Sequence, residues 1–234
     1  MIYSLRLISL SLFCILIALS FSPSVSADGL AIDKVYHPYV QPLEREIEWR
    51  AISADGEQKH RFGLGKSFSD RLFIEAYLIA KDVDDNFHLE AYEIEAKWQL
   101  SEQGEYAIDW GVIVELEKEH DLDAWEFKTG LLMEKEWGKW VGRANIWGIY
   151  EWGETVEDEL ESALALQTRY RYSPSFEPAI ELYAGEDTLG MGPVALGDIR
   201  FGQGKKLHWE IGAIFGFDDK TPNTTWRFLT EFEF

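Results

Sequence analysis

The chain has 234 residues, 46% of them hydrophobic, and its 42 acidic residues outnumber its 22 basic residues to give a formal net charge of −20. This hydrophobic share excludes an intrinsically disordered chain, and the acidic excess argues against a nucleic-acid partner, whose phosphates need a basic surface. The single cysteine, Cys14, excludes a disulfide framework and a cysteine-based zinc site.

The first 27 residues have the pattern of a secretory signal peptide. Arg6 is the only charged residue, residues 7–21 are almost entirely apolar, and Val25-Ser26-Ala27 is a small-x-small cleavage site. The apolar run is shorter than the roughly 20 residues of a membrane-spanning helix. We therefore predict cleavage near Ala27, with an uncleaved anchor as the alternative. Residues 28–42 are expected to form a short periplasmic N-terminal segment or a small plug.

Residues 43–234 alternate between apolar and polar side chains, a period of two that is typical of β-strands. Turn residues divide the pattern into predicted strands of 9 to 13 residues, close to the roughly 9–11 residues with which a tilted strand crosses a bilayer. The twelve predicted strands are 43–52, 59–67, 71–80, 88–100, 105–117, 124–134, 140–152, 159–171, 176–184, 191–201, 207–217 and 226–234.

The polar face of these strands carries charges of both signs in mid-strand, which favours a membrane barrel with a charged lumen over a soluble barrel with a charged exterior. Aromatic residues gather near the strand ends of the apolar face, as in the aromatic girdles of membrane barrels. The predicted lumen-lining residues are Glu46, Glu48, Arg50, Arg61, Glu75, Glu95, Lys97, Asp109, Glu126, Arg143, Glu161, Arg169, Glu181, Arg200 and Glu210.

The end of the chain resembles the C-terminal insertion signal of bacterial outer-membrane β-barrels. Its alternating aromatic residues are Trp226, Phe228, Phe232 and the terminal Phe234. The resemblance implies an all-β, antiparallel, porin-like transmembrane barrel of about 12 strands in the Gram-negative outer membrane. It also implies contact with outer-membrane lipid, and with the β-barrel assembly machinery during insertion. A looser similarity is to uncharacterised outer-membrane proteins grouped with aromatic-degradation pathways.

The connections between the predicted strands differ in charge. Six connections predicted to face outward carry 17 acidic and 3 basic residues, whereas the five predicted to face the periplasm carry 4 of each. This asymmetry predicts an acidic outer mouth, which includes Asp84, Asp85, Glu117, Glu119, Asp121 and Asp123.

The predicted function is a passive, cation-biased channel for small solutes, because repeated Glu-x-Glu steps stack carboxylates on the lumen face. The alternative is a sealed structural barrel whose lumen is filled by ion pairs. A third reading is an outer-membrane hydrolase that uses His88 or His120 beside neighbouring aspartates. Gly63–Ser67 lacks the first glycine of a phosphate-binding loop, and the five histidines are scattered, so no catalytic, metal or cofactor site is predicted.

Overall fold

A computed structural model describes residues 32–234, so the predicted signal peptide lies outside the described residues. These residues form one closed antiparallel barrel in which each strand pairs with the next and β1 pairs with β12. The strands are β1 Arg45–Ala54, β2 Glu57–Ser67, β3 Leu72–Val83, β4 Asn86–Gln99, β5 Asp109–Glu119, β6 Ala124–Trp137, β7 Trp140–Gly153, β8 Glu159–Tyr170, β9 Glu177–Ala184, β10 Leu189–Arg200, β11 Lys206–Gly216 and β12 Thr224–Glu233. Within residues 32–234, no helix is long and apolar enough to cross a membrane.

The predicted all-β antiparallel barrel of about 12 strands is confirmed, and the largest error in a strand boundary is at β5. The alternating pattern predicted that this strand starts at residue 105, but it starts at Asp109. The Asp109 carboxylate accepts the Gly104 N–H at 3.0 and 2.9 Å, and Ser101 Oγ accepts the Trp110 N–H at 2.8 Å. These bonds fold residues 101–108 into a turn, so Tyr106 lies outside the strand.

The two ends of the barrel are distinguished by their connections. At the end that we call upper, six hairpins join β1 to β2, β3 to β4 and so on. The β3–β4 hairpin turns at Asp84 and Asp85, whose φ angles of 53° and 63° lie in the left-handed region that aspartate tolerates. At the lower end lie the start of β1 and the end of β12.

The outer surface of the barrel is apolar. Exposed aliphatic residues such as Leu78, Ile94 and Ile146 form a middle band. Exposed aromatic residues lie on either side of this band: Phe87, Tyr150, Phe217 and Trp226 toward the upper end, and Trp98, Trp137, Trp140, Phe176, Phe201 and Phe234 toward the lower end. An apolar band between two aromatic belts matches the chemistry of a bilayer and its interfaces.

Candidate functional site

The structure places most of the residues predicted to line the lumen in sheltered positions. Of its fifteen predicted residues, fourteen are buried or half-buried, whereas Arg200 is exposed at the lower end of β10. Lys97 places its ammonium 5.5 Å from the ring of Phe73. Two others accept hydrogen bonds from tyrosine hydroxyls, Glu95 from Tyr36 and Asp109 from Tyr39. Eight form salt bridges: Glu48, Arg50, Arg61, Glu126, Arg143, Arg169, Glu181 and Glu210.

Inside this wall lies a stretch of the chain that precedes β1. Residues 32–40, here called the inner segment, are all buried or half-buried, while residues 41–43 are exposed at the lower end. Ile32 and Val35 pack in a buried apolar cluster with Tyr183, Leu196 and Ile214 of the barrel wall. The interior therefore contains apolar patches as well as charges, and the inner segment covers them.

A second apolar contact holds the middle of the inner segment against strands β5, β6 and β7. Tyr36 packs against Ile113, Leu132 and Trp147, and its ring lies 5.7 Å from that of Trp147 in an edge-on arrangement. At Gly111 a Cβ atom would lie only 2.9 Å from the Cα of Pro38, so a glycine is needed for this close approach.

Polar side chains of the wall satisfy the backbone of the inner segment. Asn145 accepts the Tyr36 N–H at 2.8 Å and donates to the Tyr36 carbonyl at 3.0 Å, and Gln99 accepts the Val40 N–H at 2.7 Å. The Tyr36 hydroxyl donates to Glu95 at 2.9 Å, and the Tyr39 hydroxyl donates to Asp109 at 2.7 Å. Because a buried N–H or C=O needs a partner, these bonds make the inner segment a fitted part of the lumen.

Asp33 is the centre of the charge network at mid-lumen. Its carboxylate pairs with Arg50 and, at 3.6 Å, with Arg61. Burial disfavours the charged form, but the two guanidinium groups outweigh burial and hold the pKa of Asp33 well below its ordinary value. The Asp33 carbonyl accepts hydrogen bonds from Tyr183 and Arg227.

Arg227 is a central residue that the predicted lumen set omits. It is fully buried and pairs with Glu181 at 2.9 Å and with Glu210 at 2.8 Å. It lies between Trp226 and Phe228, both predicted to face lipid, so the period of two already places it inside. Glu93 and Glu134, which bind Arg61 and Arg143, are omitted from that set in the same way and occupy inward positions on their strands.

Lys34 extends the network to the junction of the first and last strands. Its ammonium pairs with Glu48 of β1 and, at 3.0 Å, with Glu231 of β12. Elsewhere Arg143 pairs with Glu134 at 2.6 Å, and Arg169 pairs with Glu177 at 2.9 Å. The middle of the lumen is therefore narrowed by ion pairs between the inner segment and the wall and between residues of the wall.

Above the inner segment the lumen opens into a cavity of about 690 Å³ that extends to the upper hairpins. Its lining contains ten carboxylates against five lysine or arginine side chains. Three of the predicted outer-mouth acids, Glu117, Glu119 and Asp121, belong to this lining, whereas Asp84, Asp85 and Asp123 are exposed in the hairpins outside it. We call this space the vestibule. The vestibule therefore lies above a part of the lumen that the inner segment and its ion pairs occupy.

The two histidines considered for hydrolysis lie at the upper end. His88 is near the Asn86 carbonyl, with Nδ1 at 3.2 Å from the oxygen, and is part of the vestibule lining. His120 has Nδ1 at 3.3 Å from the Tyr92 hydroxyl and Nε2 at 3.7 Å from Asp121. Each histidine thus has local partners typical of a hairpin.

The sequence has no significant match among protein-family profiles or curated proteins. Solved structures are nevertheless similar in fold. The chain superposes on the KdgM porin in complex with disordered oligogalacturonate with a TM-score of 0.55 at 11% identity, over 81% of this chain and 98% of that one. An outer membrane channel from Pseudomonas putida F1 gives a TM-score of 0.53 at 14% identity, over 90% of this chain and 99% of that one. These likenesses show a common barrel fold.

Proposed function

We propose that this chain is an outer-membrane channel for small solutes, biased toward cations and narrowed by its own inner segment. The observation that carries the proposal is the vestibule, a cavity large enough to hold many water molecules inside a closed barrel whose outer surface carries an apolar band. The fold shared with a porin and with an outer-membrane channel supports the same conclusion.

The bias toward cations rests on the vestibule lining, in which carboxylates outnumber basic groups by two to one. A low-dielectric wall focuses the field of such charges, which raises the local concentration of cations and lowers that of anions. Mid-lumen charges contribute little to this field because ion pairs neutralise them. Selectivity therefore arises at the upper end of the barrel.

The membrane partners follow from the outer surface. Outer-membrane lipid contacts the apolar band, and the assembly machinery acts on β12, at whose lower end Phe234 is 44% exposed. The link to aromatic-degradation pathways stays a prediction from the looser sequence similarity. A signal peptide cleaved near Ala27 supplies the route to the membrane.

The test is the reversal potential of the purified, refolded chain in planar bilayers under a salt gradient. We expect conductance with a preference for cations that is stronger at 0.1 M than at 1 M salt, since the Debye length falls from about 10 Å to about 3 Å. The variant E117Q/E119Q/D121N should show a weaker preference. The control D218N lies in an exposed upper turn outside the vestibule and should retain it.

A sealed structural barrel is the second candidate, and the ion-paired inner segment is the observation that favours it. The two candidates differ in one measurement. If the chain conducts neither intact nor after release of the inner segment, it is a sealed barrel. If it conducts but prefers anions, the argument for cation selectivity from the vestibule charges is wrong.

A further inference from the structure

A row of carboxylates crosses the wall of the vestibule. On the successive strands β5 to β8, a glutamate of the lining lies directly opposite a glutamate of the next strand. This carboxylate row consists of Glu117, Glu126, Glu151 and Glu159. The carboxylates of Glu126 and Glu151 are within hydrogen-bond reach of each other, which requires a proton or a cation between them. Like charges directly opposite each other on neighbouring strands are destabilising, so the row needs positive charge.

The basic side chains of the vestibule lining are mostly engaged outside this row. Four of the five pair with carboxylates at other positions: Lys34 with Glu48, Lys59 with Glu90, Arg61 with Glu93 and Lys81 with Glu57. The fifth, Lys128, pairs with Glu126 at 2.6 Å. No salt bridge reaches Glu117, Glu151 or Glu159 from any residue in the described range 32–234. Three of the four carboxylates in the row therefore lack a basic partner.

A buried carboxylate one step deeper borders the same space. Glu115 precedes Glu117 on the inner face of β5, is only 5% exposed and belongs to the vestibule lining. It has no hydrogen bond or salt bridge to any residue in the part of the chain that the structure describes. Lys128, which lies directly opposite it, is bonded to Glu126. Because a buried charge without a partner is costly, Glu115 is available to a cationic group that enters the vestibule.

The carboxylates of the vestibule are spread along its wall. Neighbouring strands lie about 4.8 Å apart, so the row from Glu117 to Glu159 extends for about 14 Å. Within residues 32–234, the groups of three carboxylates that are close enough to share one metal ion lie at the junction of β1 and β12, outside the vestibule. The row therefore suits a cation whose positive charges are themselves spread out.

An apolar patch lies directly below the row. It consists of Trp147 and Ile149 of β7 and Ala163 of β8, which all belong to the vestibule lining. Trp147 lies directly opposite Ala163, and Ile149 lies between Trp147 and Glu151 on the inner face of β7. Apolar surface in contact with water is unfavourable, so hydrocarbon that covers this patch gains free energy. A ligand that fits both surfaces carries methylene groups between its positive charges.

We propose that the vestibule binds a linear aliphatic polyamine, with its ammonium groups on the carboxylate row and Glu115 and its methylene groups on the apolar patch. Three methylene groups separate two amine nitrogens by about 5 Å, because four bonds of about 1.5 Å span that length in a zigzag. This separation matches the distance of about 4.8 Å between neighbouring strands. Each ammonium donates three hydrogen bonds, so it can join two neighbouring carboxylates. The inference rests on the proposed function, because it names the class of solute that the mouth of that channel recognises.

The experiment is calorimetric titration of the purified, refolded barrel with spermidine, a linear triamine. We expect saturable binding that is about tenfold tighter than the binding of tris(2-aminoethyl)amine, a compact triamine whose charges surround one nitrogen. E115Q and E151Q should each weaken spermidine binding about tenfold, as expected for the loss of one hydrogen bond between charged groups. The control E154Q changes an exposed carboxylate of the β7–β8 hairpin outside the vestibule lining and should bind spermidine like the unaltered chain.

E151Q also serves for the case in which E115Q fails to fold, because Glu151 is only half-buried. Absence of spermidine binding overturns the proposal, as does unchanged affinity in both variants. Equal affinity for the compact triamine overturns the assignment to a linear polyamine. Conductance of potassium chloride without polyamine tests the proposed function separately. A chain that conducts but does not bind spermidine keeps the channel and loses this site, whereas a chain that binds without conducting keeps the site and loses the channel.

Discussion

Single buried charged residues hold together the ion-pair network of the lumen. Arg227 is surrounded by Glu181, Glu210, the Tyr183 hydroxyl and the Asp33 carbonyl, all within hydrogen-bond reach. An arginine serves this role because its planar guanidinium donates in several directions at once. Loss of this one side chain leaves two buried carboxylates without their main partner.

We therefore expect R227M to lower the free energy of unfolding by about 3–5 kcal/mol, the usual cost of breaking a buried ion pair. The matched control R71M removes an exposed arginine that pairs with Glu102 at 2.8 Å in the lower turns, and should cost about 1 kcal/mol or less. Urea unfolding in lipid vesicles measures both. Equal losses in the two variants would show that the central network is no stronger than a surface pair.

The pKa of Asp33 sets the pH range over which the inner segment is held. A carboxylate whose folded pKa is lowered contributes stability at every pH above its unfolded value, and loses that contribution as pH falls through the folded value. Because Arg50 and Arg61 lower the Asp33 pKa, acidification from pH 7 to pH 5 leaves this charge in place. The tryptophan fluorescence of the chain, to which Trp147 contributes from its packing on Tyr36, should therefore stay constant across that range.

At the scale of elements, the inner segment is held by side chains and lies outside the sheet. Its two charged residues, Asp33 and Lys34, contact β1, β2 and β12. Leaving a buried charged group unpaired costs about 1–3 kcal/mol or more. Neutralisation of both residues should thus loosen the segment while the strand pairing remains intact.

We expect D33N/K34M to conduct more than the unaltered chain in planar bilayers, because the narrowed middle of the lumen then opens for part of the time. The control D187N/K220M removes an exposed ion pair between upper connections and should conduct like the unaltered chain. An unchanged conductance in D33N/K34M would mean that the inner segment either does not narrow the conducting path or stays in place without these charges.

The strands were predictable in detail, whereas for residues 28–42 the sequence left a periplasmic segment and a small plug open as alternatives. A strand that faces lipid on one side and charge on the other must alternate, so the twelve strands and most lumen residues could be read from period two. Residues 32–40 form no strand, and their partners are single side chains such as Asn145 and Gln99 far along the chain. No local pattern indicates such pairs. Arg227 and Glu134 follow the alternation, so the same pattern could have placed them among the predicted lumen residues.

For the whole molecule, the charge asymmetry of the connections predicts its orientation, with the upper hairpins outside the cell. The only natural cysteine, Cys14, lies in the predicted signal peptide, so single cysteines can be introduced as reporters. A membrane-impermeant thiol reagent on intact cells should label D84C, D121C and D219C but not Q103C or Q203C. Labelling of the second group alone would reverse the orientation.

The position of Lys34 also bears on how the barrel is assembled. The first and last strands are the most distant partners in the chain, and loop-closure entropy makes their meeting the least favourable pairing in the sheet. The inner segment directly precedes β1, yet it binds Glu231 and Arg227 of β12. We therefore expect this segment to contact the last strand before the barrel closes. A chain without this segment should close its barrel more slowly. The unpaired edges of β1 and β12 would then stay exposed to other chains for longer.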